Sequence, residues 1–289
     1  MPGFRPAYDL RSVLEQGREK AVTATAVGLS VVVPAYRESR RIPENLRRID
    51  AYLALRAERC EIVVVDDGSP DDTVQVVREV ARELSTPVRL ILSERNRGKG
   101  YALKLGFAAS SGERVLFTDA DLSTPIECAD ALLEELDMGA CFVLGSRKMQ
   151  GAQLELRQPW LRETLGKGFT RIARWLIADV TDVTCGFKAF DGELGRDLFS
   201  RVRIDDWSFD AELLLIARHL DHPFCEVPVS WQDREGTKVR LVRDVLSTLA
   251  GLAKMRVNLA LGRYARATPH GAFAIEEFAG RARDRGRRG

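Results

Sequence analysis

Apolar positions fall in five short runs, LSVVVPAY (29–36), CEIVVVDDGS (60–69), PVRLILSERN (87–96), ERVLFTDAD (113–121) and ACFVLGSRK (140–148). Each carries four to six apolar residues and closes on polar, Gly or Pro positions, the pattern of a strand buried on both faces. Between them, RRIPENLRRIDAYLALRAE (40–58), DDTVQVVREVARELS (71–85) and GYALKLGFAASS (100–111) have the spacing of amphipathic helices. Alternation of doubly buried strands with helices predicts an α/β fold, a mostly parallel central sheet flanked by helices. Such sheets bind ligands in the crevice at the carboxyl ends of their strands. Polar groups stand at those ends: Tyr36 and Glu38, Asp66 and Asp67, Asn96 to Lys99, and Asp119 with Asp121.

Composition narrows the class. With 289 residues and 45% hydrophobic content the chain can bury a large core. Forty-four Lys and Arg against 42 Asp and Glu leave a formal charge of +2, which does not describe a nucleic-acid binder. The five cysteines are scattered without a CxxC spacing, which argues against a disulfide framework or a zinc site and for a reducing compartment. Residues 1–20 lack the apolar segment of a signal peptide, and no stretch reaches the roughly 18 apolar residues of a membrane span, so a cytoplasmic protein is expected.

Taken singly, the acidic pairs are ordinary. Asp66-Asp67-Gly68-Ser69-Pro70 has the composition of a turn before a capped helix, and Asp119-Ala120-Asp121 that of a loop before Pro125. Two such pairs ending two buried strands of one sheet would concentrate negative charge, which is costly unless a cation is bound. Paired carboxylates suit Mg²⁺ or Mn²⁺, whose remaining ligands are water and substrate phosphates, and this points to a nucleotide diphosphate. Asn96-Arg97-Gly98-Lys99-Gly100 lacks the spacing of an NTPase phosphate loop, and Pro34-Ala35-Tyr36-Arg37-Glu38 carries no dinucleotide-binding glycines.

VVVPAYRE, VVVDDGSPDDT, NRGKGYALKLG and FTDADLSTP together resemble the family-two glycosyltransferases of the GT-A fold, over residues 29 to about 150. That resemblance implies an inverting enzyme with a Rossmann-like nucleotide-sugar domain. It implies that Pro34, Ala35, Tyr36, Glu38, Asp66 and Asp67 hold base and ribose, helped by Lys99. Asp119, Ala120 and Asp121 would face the diphosphate, with Asp119 and Asp121 as metal ligands. Arg37 stands where the motif usually has Asn.

Further on, Gly145-Ser146-Arg147, Asp182 to Phe190, Asp206 to Leu214, and Val229 to Trp231 with Glu235 to Lys238 resemble the dolichyl-phosphate β-glucosyltransferases, and somewhat less the polyprenyl-phosphate mannosyltransferases. The resemblance implies a UDP-glucose donor, with GDP-mannose as the alternative, and a polyprenyl phosphate acceptor. It implies that Arg147 and Arg162 meet the acceptor phosphate and that Arg234 and Lys238 close over the donor diphosphate. The alternative is that Arg147 pairs with a surface carboxylate. A phosphate acceptor is already anionic and needs positioning more than deprotonation. No base is therefore nominated; Asp182 and Asp210 are the candidates for that role, each also readable as structural, Asp210 in the first turn of a helix and Asp182 in a polar loop. A transferase acting on a hydroxyl, or a nucleotide-sugar-binding module without turnover, are the remaining readings.

The expected organisation is an N-terminal extension (1–28), the glycosyltransferase domain (29–237), an amphipathic C-terminal helix (238–263) and a basic tail (264–289) whose composition predicts disorder. The helix has two readings, membrane contact at the cytoplasmic face or packing on the domain.

Overall fold

The structure is a computed structural model that describes residues 26–149, 180–232, 241–268 and 273–281. The five expected strands are present as β1 (Leu29–Ala35), β2 (Cys60–Asp66), β3 (Val88–Leu92), β4 (Arg114–Thr118) and β5 (Phe142–Ser146). They alternate with α1 (Ile42–Ala54), α2 (Thr73–Ala81), α3 (Lys99–Ala109) and α4 (Ala129–Asp137). Beyond them come β6 (Phe187–Asp191), α5 (Gly192–Arg201), α6 (Phe209–His219), β7 (Cys225–Pro228), α7 (Leu241–Ala260) and β8 (Ala274–Phe278).

All eight strands form one mixed sheet in the order β7-β5-β6-β4-β1-β2-β3-β8. The block β4-β1-β2-β3 is parallel, as the strand–helix alternation predicts. Outside it the sheet departs from a parallel one: β6 is inserted antiparallel between β4 and β5, and β8 runs antiparallel to β3. Alternating residues of the central strands feed two cores. Val32, Val63, Val65 and Phe117 face α3, α5 and α6, while Val31, Val33, Val64 and Leu116 face α1, α2 and α4. This two-sided burial is why the strands read as unbroken apolar runs.

Helix α3 differs from its amphipathic reading. Every residue from Gly100 to Phe107 is buried, Lys104 included, and the Lys104 ammonium donates to the Val202 carbonyl at 2.7 Å. A helix covered on all sides needs no polar face. Phe107 stacks on Phe199 with ring centroids 3.9 Å apart, joining α3 to α5.

The tail departs from its expectation too. Tyr264 is buried, and Ala274–Phe278 is strand β8, held by a bidentate Arg78–Glu276 pair and by Arg89–Glu277. Its short AIEEF run lies in a basic context that composition alone reads as disordered; pairing with the β3 edge supplies the missing order. Helix α7 packs one face on the domain through Leu252 and Met255; Val257 on the helix and Leu261 just after it are exposed. Among the described residues no helix is long and apolar enough to cross a membrane.

Candidate active site

The loops after β1 and β2 are stitched together at the carboxyl edge of the sheet. The Asp67 amide donates to the Ala35 carbonyl at 2.9 Å, the Arg37 amide to the Ser69 hydroxyl at 3.0 Å, and the Glu38 amide to the Thr73 hydroxyl at 2.9 Å. Pro34 and Tyr36 are half-buried there beside buried Ala35. The Glu38 carboxylate accepts from Arg41 Nε and Nη2 at 2.9 Å each, so its charge is engaged within the loop.

Asp66 and Asp67, both buried, do different things. The two oxygens of Asp67 accept the Arg97 and Gly98 amides at 2.7–3.1 Å, so this carboxylate ties the loop after β3 to the end of β2. Burial, reinforced by the neighbouring Asp66, outweighs those bonds and pushes its pKa up to about 6. Gly98 sits at φ +115°, a backbone open to glycine, which lets the loop pass against the Asp205 carbonyl. In Asp66, Oδ2 accepts the Ser69 amide at 2.9 Å, whereas Oδ1 is sealed from solvent with no hydrogen-bond partner among the described residues. A buried acceptor of this kind is a costly feature unless a ligand N–H or O–H meets it.

Asp119 and Asp121 follow β4, both half-exposed. Buried Ala120 between them is fixed by its carbonyl, which accepts the Asn45 amide at 2.7 Å. Asp121 Oδ1 accepts the Ser123 amide at 2.9 Å. The Lys99 ammonium lies 2.5 Å from Asp119, and Gly186 backs the same carboxylate, where any side chain would collide with it. Burial lowers the Lys99 pKa, but Asp119, Asp210 and Asp121 outweigh it and hold it above the ordinary value. Behind this pair, buried Lys188 donates to Asp210 at 2.6 Å and to the Cys185 carbonyl at 2.5 Å. Burial raises the Asp210 pKa against the pull of Lys188 and Lys99. Negative and positive groups thus alternate from Asp119 through Lys99 and Asp210 to Lys188.

Arg147 is paired, with a buried carboxylate rather than a surface one. Its Nε and Nη2 meet the fully buried Asp182 carboxylate at 2.6 and 2.9 Å, and Nη2 also reaches the Thr184 hydroxyl at 3.1 Å. Glu226 fixes this corner by accepting the Thr181 and Asp182 amides at 2.8 and 3.0 Å. Burial opposes ionisation of Asp182, yet the Arg147 guanidinium prevails and holds the carboxyl below its usual range. A carboxylate so engaged makes a poor base, and its evident work is to orient Arg147. Arg162, Arg234 and Lys238 lie outside the described residues.

Sequence reasoning did not nominate Asn45, Gly186 or Lys188. Two had a signal: Asn45 is a polar residue on the buried face of α1, and Lys188 is a charge inside the apolar strand FKAF. Gly186 had none, because its role comes from a contact across the fold.

The crevice fits a divalent cation. Asp119 and Asp121 offer hard oxygens from one short loop, and among the described residues no three His, Cys, Asp or Glu side chains form a closed cage. That donor set suits an ion completed by water and substrate phosphates.

With that geometry in place, comparison with known proteins gives the class. The family model for glycosyl transferase family 2 matches residues 30–199, and the chain belongs to that family. More particularly, it is similar to the dolichyl-phosphate β-glucosyltransferase of Dictyostelium discoideum, 32% identical over 248 residues, covering 81% of this chain and 75% of that one. The human dolichyl-phosphate β-glucosyltransferase is 34% identical over 224 residues, 73% of this chain and 69% of the relative. Among solved structures, glucosyl-3-phosphoglycerate synthase from Mycobacterium tuberculosis, in complex with Mn²⁺, UDP-glucose and phosphoglyceric acid, superposes with a TM-score of 0.59. At 20% identity over 92% of this chain and 87% of that one, it shows the shared fold.

Proposed function

We propose that this protein transfers glucose from UDP-glucose to a polyprenyl, dolichyl-type phosphate, with inversion, at the cytoplasmic face of a membrane. The observation that carries the reading is the Asp119–Asp121 loop and its cationic neighbour Lys99 at the carboxyl edge of the sheet. Similarity to dolichyl-phosphate β-glucosyltransferases over most of the chain supports the donor sugar and the acceptor.

In this reading a phosphate oxygen of the acceptor forms the new bond to C1 of the sugar from the face opposite the leaving group. The bond from C1 to the diphosphate oxygen breaks, and its electron pair leaves with the nucleotide diphosphate. Asp119 and Asp121 would hold Mg²⁺ or Mn²⁺, which when bound offsets charge on the departing diphosphate. A Mn²⁺ ion accompanies UDP-glucose in the synthase of the same fold.

The chain's own residues supply position. Asp66 Oδ1 offers a dry acceptor to an N–H or O–H of the nucleotide, and Asp67 holds the adjoining loop in register. Lys99 adds a fixed positive charge beside the metal-binding carboxylates. Arg147, oriented by Asp182, presents a guanidinium suited to the acceptor phosphate. By resemblance Arg162 would share that task and Arg234 and Lys238 would serve the donor diphosphate; all three lie outside the described residues. No base is required, because the phosphate arrives ionised.

The test is incubation with Mn²⁺, a polyprenyl phosphate and labelled nucleotide sugars, followed by extraction of labelled lipid. Label from UDP-glucose supports the whole reading; label from GDP-mannose alone replaces the donor. Transfer only to a soluble hydroxyl acceptor overturns the phosphate acceptor and returns Asp210 to the role of base.

A further inference from the structure

The buried carboxylate of Glu212 is absorbed by none of the chemistry above, yet both of its oxygens are engaged. Oε2 accepts the Arg203 and Ile204 amides at 2.9 and 2.8 Å, and Oε1 accepts the Tyr264 hydroxyl at 2.7 Å. Glu212 is fully buried and Tyr264 nearly so, at 1%. Tyr264 lies well past residue 199, where the family match ends.

The segment that contains it is strapped onto the same loop. The Arg201 guanidinium donates to the Tyr264 carbonyl at 2.9 Å, Arg203 donates to the Arg263 carbonyl at 2.7 Å, and the Thr268 amide and hydroxyl donate to the Ser200 carbonyl at 2.8 and 2.7 Å. Residues 200–204 are therefore held by bonds from α6 on one side and from the chain after α7 on the other.

That loop in turn forms one wall of the segment before α3. Asp205 accepts the Arg97 guanidinium at 2.7 Å, and the Tyr101 amide donates to the Asp205 carbonyl at 3.3 Å. At Gly100 a side chain would stand 2.6 Å from the Ile204 carbonyl. The 97–101 segment has no slack on this side, and it carries both the amides bound by Asp67 and the Lys99 ammonium at Asp119.

We propose that Tyr264 and Glu212 are positioning residues for the donor site: the C-terminal strap sets the 203–205 loop, which sets the placement of Lys99 against Asp119. A small displacement propagates through the Asp205–Arg97 pair and through backbone atoms packed against Gly100 without space to yield. The inference rests on the donor site proposed above, so the experiment separates the two.

Transfer kinetics are measured for wild type, Tyr264→Phe and Glu212→Gln, with Asp205→Ala and the Tyr264→Phe/Asp205→Ala double variant to close a cycle. The phenylalanine keeps the buried ring and removes the hydroxyl, and with it the donor to Glu212 and a contact with Asn258. The expected result for Tyr264→Phe is a rise of about three- to tenfold in the KM for the nucleotide sugar, with kcat and the acceptor KM within about twofold. Glu212→Gln, whose amide can still accept from residues 203 and 204 and donate to the Tyr264 oxygen, keeps a donor KM near that of wild type. The double variant is no worse than the poorer single one, the sign of a shared route. The proposal is overturned if Tyr264→Phe lowers the melting temperature while the donor KM stays put, or if the two substitutions multiply. If wild type transfers no sugar from any nucleotide, the proposed function fails instead. Binding of UDP with Mn²⁺, followed by calorimetry, then tests the strap alone: Tyr264→Phe weakens it by the same factor or the proposal falls.

Discussion

The Lys99 ammonium and an Asp119 carboxylate oxygen lie 2.5 Å apart, although β1 and β2 separate the strands from which their loops emerge. Helix α3 makes the meeting possible: it starts at Lys99 and runs back under the sheet, so its first residue stays at the crevice. Lys99→Met removes the ammonium that stands against Asp119 and offsets its repulsion with Asp210. Turnover is expected to fall by about 10²-fold or more, as for other lost electrostatic groups. Asp119→Asn and Asp121→Asn should fall at least as far. Steady-state transfer assays check this, with far-UV circular dichroism unchanged in all three.

Arg147 and Asp182 behave as a unit. Asp182→Ala strands a largely buried guanidinium and is expected to cost about 3–5 kcal/mol of stability. Asp182→Asn, which keeps one acceptor, should cost less. Because the folded pKa of Asp182 lies below its unfolded value, its contribution is present above about pH 4 and is lost as pH falls below it. Urea melts of wild type and Asp182→Asn at pH 3.5 and pH 7 should differ most at pH 7.

Asp67 has the opposite sign. Its folded pKa of about 6 exceeds the unfolded value of 3.8, so the folded chain binds the extra proton between them. Its contribution to stability therefore declines as pH rises through that window. Replacing it with Asn should flatten this slope, and the wild-type-minus-variant stability should fall between pH 4 and pH 6 by no more than about 3 kcal/mol. Chemical denaturation across that range provides the measurement.

Arg37 is held at φ +57°, a conformation that disfavours most side chains and suits Asn or Gly. The departure from Asn at this motif position thus has a backbone cost. Arg37→Asn is expected to raise stability by about 0.5–1 kcal/mol. Thermal unfolding checks the gain.

The sequence by itself determined the parallel half of the fold and the places where chemistry would stand. Strands buried on both faces must be apolar throughout, and the residues after them, freed from packing, can be acidic; β2 ending at Asp66-Asp67 and β4 ending before Asp119 are legible for that reason. Partnership was decided only by tertiary structure. Nothing local to VTCGFKAF says that β6 enters antiparallel beside β4, that Gly186 then backs Asp119, or that Lys188 meets Asp210. Arg147 bound by Asp182 and Tyr264 bound by Glu212 join positions 35 and 52 residues apart. The tail shows the same limit, since β8 is a strand through its pairing with β3, nearly two hundred residues upstream. Periodicity reports how one segment meets an average core, whereas a hydrogen bond depends on which two segments share a wall, and that is settled only when the whole sheet has closed.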